Sequence, residues 1–307
     1  MDKKNTLFLW LDNNDFYPKE IRKRGVATAS VYRNIPIWLK AIRRLQINLK
    51  IGFIEPWLSV WVNDIKNYKA IIIHASRITA PVVKFIHKRS PSIRIIVWYW
   101  NPVEKCEPLD SYPSDICERW CFDENDSIQF SLPYNTQYYF MNSPLHESER
   151  KTKTDIYFLG GDKGRLTMLL ELESQFKNCG LRTNFHITKT SNNYDPSFKY
   201  QDRINYDRNL DNIFESAAIL DIVSAGQNGL TIRPLEALCF RKKLITNDAS
   251  IVGRDFYHPD NIFVIGINDI LSINDFISRP YFEIDNEIRL RYDFDLWLDR
   301  FQITCNH

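Results

Sequence analysis

The sequence predicts an α/β protein made of two consecutive doubly wound units, and three observations carry that expectation. Short, near-continuous apolar runs alternate with longer runs whose apolar residues recur at helical spacing, the pattern of parallel sheets covered on both faces. A polar stretch, "MNSPLHESERKTKT" (141–154), interrupts the alternation near mid-chain with almost nothing to bury. The alternation then restarts, so that 307 residues divide into two lengths of ordinary domain size.

Taken in order, the strands expected in the first half are "TLFLWL" (6–11), "LKIGFI" (49–54), "KAIIIHA" (69–75) and "IRIIVWYW" (93–100). Between them, "NIPIWLKAIRRLQ", "PWLSVWVNDIKN" and "ITAPVVKFIHKRS" show helical spacing. The second half gives strand "DIYFLG" (155–160), a helix from Arg165 to Asn178, strand "RTNFHIT" (182–188), helix "RNLDNIFESA" and strand "AILDIVS". A glycine-bearing turn, a helix and strands "KLITN" and "NIFVIG" follow, and "NEIRLRYDFDLWLDRF" reads as a closing helix. The expected limits are 1–145 and 146–283 for the two units, with 284–307 packing across their junction. Ligands of such sheets bind beyond the carboxyl ends of the strands, so both units are expected to aim loops into a shared cleft.

Composition narrows the classes. Hydrophobic residues at 44% and charged residues at 25% predict a packed core rather than disorder, and a net charge of +2 gives no case for a nucleic-acid partner. The apolar run that follows the first lysines is too short for a signal peptide, and no run approaches the ~20 apolar residues of a membrane span. A cytoplasmic location is expected. Six scattered cysteines predict free thiols, and Cys106, Cys117, Cys121 and His146 lack zinc-ligand spacing, so no metal is expected.

Two loops carry candidate chemistry. In "GGDKGR" (160–165), between strand and helix, Gly161 lets backbone approach a ligand, while Lys163, Arg165 and the helix amino terminus offer positive charge to a phosphate. The other reading is an ordinary glycine turn with solvated basic residues. In "SAGQNGLTIRPLEALCFRKKLITND" (224–248), Gly226, Gln227, Asn228 and Gly229 form a turn that with Leu230 is a candidate donor-binding loop, and Thr231 is a capping candidate for the helix that follows. Arg233 offers a planar donor fork to phosphate oxygens, and Glu236 offers a carboxylate to a vicinal diol. The other reading is an internal Arg233–Glu236 pair at i, i+3.

This order of glycine-bearing loop, proline, Leu-Glu-Ala and basic "KKLIT" strand, across most of 155–266, resembles the nucleotide-sugar site of GT-B glycosyltransferases, in particular those of bacterial lipopolysaccharide and capsule biosynthesis. The resemblance implies two Rossmann-like domains facing across a cleft, a nucleotide-sugar donor bound by the second, and a glycan or lipid-linked acceptor. It implies ribose binding by Glu236 and diphosphate binding by Lys163 and Arg165, with no cofactor and no obligatory metal. Many retaining members carry two glutamates eight positions apart; Asn228 stands at the first position here, which leaves the stereochemistry open. An inverting reaction needs a base from the first unit, where Asp12 and Asp15 follow the first strand, His74 ends the third run and Asn101 follows the fourth. Asp12 and Asp15 are equally readable as a helix-capping turn. A nucleotide-sugar epimerase of the non-hydrolysing kind and a non-catalytic scaffold subunit fit the same architecture. Finally, Trp38, Lys40, Arg43, Arg44, Trp57 and Trp61 form an aromatic and basic stripe, readable either as helix faces packed on the sheet or as a peripheral contact with the inner face of the cytoplasmic membrane.

Overall fold

The apolar runs of the first half assemble into a five-stranded, wholly parallel sheet of order β2-β1-β3-β4-β5. In the computed structural model, which describes residues 1–141, 151–190, 194–223 and 229–301, β1 is Thr6–Trp10, β3 is Ala70–His74 and β4 is Arg94–Tyr99. Ile71, Ile72 and Ile73 are all fully buried, so both faces of β3 are covered, as an unbroken apolar run requires. Helices α1 (Phe16–Lys23), α2 (Ile37–Asn48), α3 (Ala80–Arg89) and α4 (Glu124–Phe130) belong to this unit. The last turn of α3 is basic, with His87, Lys88 and Arg89 placed against the negative end of its dipole.

Two expectations are corrected here. The run "LKIGFI" is not a strand but the turn that ends α2. Lys50 sits in the left-handed region (φ 54°), its N–H donates to the Ile47 carbonyl at 3.0 Å and that of Ile51 to Gln46 at 3.1 Å, a Schellman closure. The Gln46 amide then donates to the Gly52 and Phe53 carbonyls at 2.8 and 3.1 Å, which diverts their backbone from any ladder. Likewise "PWLSVWVNDIKN" is not a helix but three single 3-10 turns at Glu55–Trp57, Val60–Val62 and Ile65–Asn67. The second strand is instead β2, Ala27–Ser30, whose "ATAS" lacks an apolar signature and is set in place by four-residue pairing with β1. The fifth, β5 (Glu118–Cys121), was also not legible as a strand.

The second sheet repeats the plan, again parallel throughout, in the order β10-β9-β8-β6-β7. Its strands are β6 (Thr154–Gly161), β7 (Thr183–Thr188), β8 (Ser216–Asp221), β9 (Lys243–Thr246) and β10 (Ile262–Val264). Helices α5 (Leu166–Asn178), α6 (Tyr206–Phe214), α7 (Ile232–Phe240) and α8 (Ile273–Ser278) accompany it. All these elements but α8, for which the sequence reading gave no helix, lie within a few residues of their expected places. Lys242 and Lys243, the basic pair opening β9, serve the fold: Lys242 donates to the Phe214 and Ser216 carbonyls at 2.9 and 2.7 Å, and Lys243 to Asp260 at 2.7 Å.

The closing segment is two helices, α9 (Asn286–Leu290) and α10 (Phe294–Arg300), rather than the single one expected. The break falls where Tyr139 pairs with the chain, donating to the Tyr292 carbonyl at 2.8 Å and accepting from Phe294 at 2.9 Å. By internal contacts the chain divides into Met1–Gln137 with Trp297–His307, and Tyr138–Leu296. Trp297 and Phe301 therefore complete the first unit, where Trp297 packs 5.3 Å from Trp98 and Phe301 4.8 Å from Trp120.

In each sheet the first strand lies between the second and the third, β1 between β2 and β3, β6 between β7 and β8. The crossover direction reverses there, and the loops leaving that pair of carboxyl ends diverge to make room for a ligand.

Candidate functional site

The switch point of the second sheet is framed by the loop after β6 and the loop after β8. Ser224–Asn228 of the latter, including the candidates Gln227 and Asn228, lie outside the described residues. The loop after β6 is built around Asp162, which is almost fully buried. Its Oδ1 accepts the backbone N–H groups of Gly164, Arg165 and Leu166 at 3.0, 3.1 and 3.0 Å, and its Oδ2 accepts the Tyr200 hydroxyl at 2.5 Å. The N–H groups at the start of α5, expected to be free for an anion, are thus taken up by a carboxylate of the chain itself. Lys163 is exposed in the left-handed region (φ 51°), and its N–H reaches Thr190 Oγ1 at 3.3 Å.

Arg165 is a strut rather than a solvated charge. Its guanidinium donates to the Gly161 carbonyl at the end of β6 and to the Ile222 carbonyl just past β8, tying the two sides of the switch point together. The adjacent glycines make room for this. A Cβ on Gly160 would stand 2.8 Å from the Arg165 guanidinium, and one on Gly161 would stand 2.6 Å from Thr190 Cγ2. Burial lowers the Arg165 pKa, an effect offset in part by the Asp221 carboxylate at the end of β8.

In α7, Glu236 is fully buried and receives three donors: the Tyr206 hydroxyl, Asn209 Nδ2 at 3.3 Å and Arg233 at 2.5 Å. Arg233, 18% exposed, also donates to the Leu159 carbonyl of β6 at 3.0 Å. Burial alone would weaken the Arg233 cation, but the Glu236 carboxylate outweighs it and raises the guanidinium pKa. The i, i+3 pair is thus formed, and it joins α7 to the end of β6 instead of decorating a helix surface. Both carboxylate oxygens of Glu236 are thus engaged by groups of the chain itself. Thr231 does not cap α7 through its side chain as expected. Its hydroxyl donates to Asp221 Oδ2 at 2.5 Å, and burial raises the Asp221 pKa. Gly229 and Leu230 are buried just before it.

The first unit has its own candidates at the switch point between β1 and β3. Asp15 accepts the Phe16 N–H at 2.7 Å and caps α1, while Asp12 accepts the Asn14 N–H at 3.0 Å, so the turn reading of "LDNND" is realised with both carboxylates still exposed. Asn101, after β4, is exposed as well. His74 is packed among Phe8, Trp10 and Trp100 at ring distances of 5.2, 4.5 and 5.1 Å, and its Nε2 is buried without a partner. Burial lowers its pKa to about 3, which makes the imidazole neutral and a weak proton acceptor.

The sequence reading overlooked Asp162, Tyr200, Tyr206, Asn209 and Asp221, the groups that fix the two loops. Only Asp162 had a local signal, an acid placed just ahead of a helix start.

No family model and no curated protein matches the chain by sequence. Among solved structures, it is similar to AviGT4, a glycosyltransferase of avilamycin A biosynthesis, at 10% identity over 97% of this chain and 96% of that one, with a TM-score of 0.54. It is similar to HepE of Anabaena in complex with UDP and glucose, at 10% identity over 97% and 98%, with a TM-score of 0.54. It is also similar to the sucrose-phosphate synthase of Thermosynechococcus elongatus, at 9% identity over 91% and 83%, with a TM-score of 0.50. Two parallel five-stranded sheets of the same order, matched over nearly the whole chain, give this protein the GT-B fold of those solved structures.

Proposed function

We propose that the protein is a glycosyltransferase that moves a sugar from a nucleotide-activated donor to a hydroxyl of a glycan or lipid-linked acceptor in bacterial surface-polysaccharide assembly. The observation that supports this most is Arg165 bridging β6 and β8 at the switch point of the second sheet, with Arg233 held beside the same strand ends. Two guanidinium groups, held in place by the carboxylates of Glu236 and Asp221, and the exposed Lys163 put planar and point-charge donors at that point, the groups that suit a diphosphate. HepE, which shares the fold, holds UDP and glucose.

In this reading Lys163, Arg165 and Arg233 stabilise the charge that develops on the departing nucleoside diphosphate, an electrostatic contribution on the order of 3 kcal/mol for each well-placed donor. Gly161, Gly229, Leu230 and Thr231 shape the backbone around it, with Gln227 and Asn228 in the same loop. Glu236 keeps Arg233 aimed and exchanges its Tyr206 partner for the ribose. The base is an exposed carboxylate, Asp12 or Asp15, in preference to His74, because burial has removed the basicity of the imidazole. No metal takes part.

The test is a thermal-shift panel of UDP, GDP, CDP, ADP and CMP on the wild type and on Lys163→Ala. One diphosphate should raise the Tm, and Lys163→Ala should shrink that rise while leaving the ligand-free Tm in place. No rise with any of them at millimolar concentration overturns the reading.

A further inference from the structure

Helix α2 is built inside out. It buries Arg43 against the Tyr32 ring, 4.1 Å from guanidinium carbon to ring centroid, while Ile37 and Trp38 are 85% and 61% exposed. Ile42, Leu45 and Leu49 are exposed too and continue the stripe at helical spacing along the same face. The stripe carries on past the end of the helix into exposed Ile51 and Phe53. Phe53 sits in the left-handed region (φ 67°), a conformation that disfavours an aromatic side chain, and the Gln46 amide holds its carbonyl there. Trp57 donates to the same Gln46 at 2.8 Å, so the loop that presents Phe53 is fastened at both ends. Of the aromatic residues expected in this stripe, Trp61 is buried and Trp57 half-buried with its indole N–H held by Gln46.

The charge of the segment that carries the stripe is one-sided. From Ile21 to Ile54 the chain has no acidic residue and eight basic ones, in a protein of net charge +2. Beside the Phe53 loop, a groove of about 800 Å³ is lined by Lys50, Arg77, Lys84, Lys88 and Arg89 against the three carboxylates of Glu55, Glu107 and Asp110, so its charge is positive on balance. Among the described residues Arg44, Lys50, Lys84 and Lys88 are exposed and take part in no ion pair. An exposed apolar stripe on a single helix, bordered by unpaired cations, has the chemistry of a segment that lies in the headgroup boundary of an anionic bilayer.

We propose that α2 and the Phe53 loop form a membrane-docking surface for anionic phospholipid, with Trp38, Ile42, Leu45 and Phe53 entering the acyl boundary and Arg44, Lys50 and Lys84 meeting the headgroups. The surface stands on its own chemistry and does not depend on the enzymatic reading.

The experiment is co-sedimentation of the full chain with vesicles of phosphatidylcholine alone and of equal parts phosphatidylcholine and phosphatidylglycerol. Binding should require the anionic lipid and weaken with added salt. Removing each of Arg44, Lys50 and Lys84 should cost about fivefold in partitioning, and the triple alanine variant about a hundredfold. Trp38→Ala with Phe53→Ala should abolish binding in protein that keeps the wild-type circular dichroism. Equal binding to both vesicles, no binding to either, or a concentration-dependent dimer that Trp38→Ala dissociates overturns the proposal; the last result assigns the face to a second copy of the chain.

Discussion

Replacing Glu236 by Gln isolates the ion pair at the heart of α7, because the amide oxygen can still accept from Tyr206 and Asn209 while its NH2 group turns a hydrogen-bond donor toward Arg233. Arg233 then keeps its charge with four-fifths of its side chain out of water and no carboxylate in contact, only that of Asp221 acting from further off. Breaking one side of such a pair costs about 3–5 kcal/mol, less whatever water can reach the guanidinium, so a loss of about 3 kcal/mol is expected. Arg233→Met leaves Glu236 as a fully buried carboxylate and should cost a similar amount, about 3 kcal/mol. The double variant removes both charges and leaves a neutral core. It should fall short of the summed losses by about 2–3 kcal/mol, the coupling energy read from a urea-unfolding cycle. Additive losses, agreeing within about 0.5 kcal/mol, would show that the two side chains do not sense one another and refute the reasoning.

Asp162→Ala removes the acceptor of three helix-start N–H groups and of Tyr200, and should lower stability by about 2–4 kcal/mol; a loss under about 1 kcal/mol in urea unfolding would mean water replaces it freely. His74 titrates at about 3 when folded, against an ordinary ~6.5. Its contribution is therefore whole above the unfolded value and drains away as pH falls toward the folded one, by at most ~1.4 kcal/mol per pH unit. His74→Phe should flatten the drop in urea midpoint between about pH 6.5 and 5, and an unchanged slope would leave the imidazole no part in it. Treatment with EDTA should leave both the nucleotide-induced Tm rise and sugar transfer unchanged; loss of either, restored by a divalent cation, would assign the diphosphate to a metal instead of Lys163 and the arginines.

The parts of the fold that were legible are those whose environment is uniform along the chain. Ile71, Ile72 and Ile73 announce a strand covered on both faces because each has the same demand for burial. "ATAS" does not, since an edge strand of small side chains is held by its pairing with β1 and leaves no trace in hydrophobicity. "LKIGFI" misleads for the opposite reason: its apolar residues other than Ile54 are exposed, and the turn is made by Lys50 and Gln46. In the candidate site, the loop positions followed from strand–loop–helix order, but the roles within them did not. Arg165 reads in sequence as a charge for a ligand, with no sign that its guanidinium also meets Ile222, 57 residues away, and nothing in that reading singles out Asp162, on which three N–H groups converge. Pairings at that separation are decided by the packed sheet and have no local signal.

The placement of Trp297 and Phe301 in the first unit has a consequence for biosynthesis. Both are fully buried, Arg94 donates to the Phe301 carbonyl at 2.5 Å, and Asn135 to that of Trp297 at 3.0 Å. The strands they cover are finished long before they emerge, since the whole of Tyr138–Leu296 is translated in between. At ordinary elongation speeds that leaves Trp98 and Trp120 uncovered on the nascent chain for roughly ten to thirty seconds. The sheet of the first unit is thus synthesised before the second and closed after it, and a holdase chaperone has its longest opportunity there.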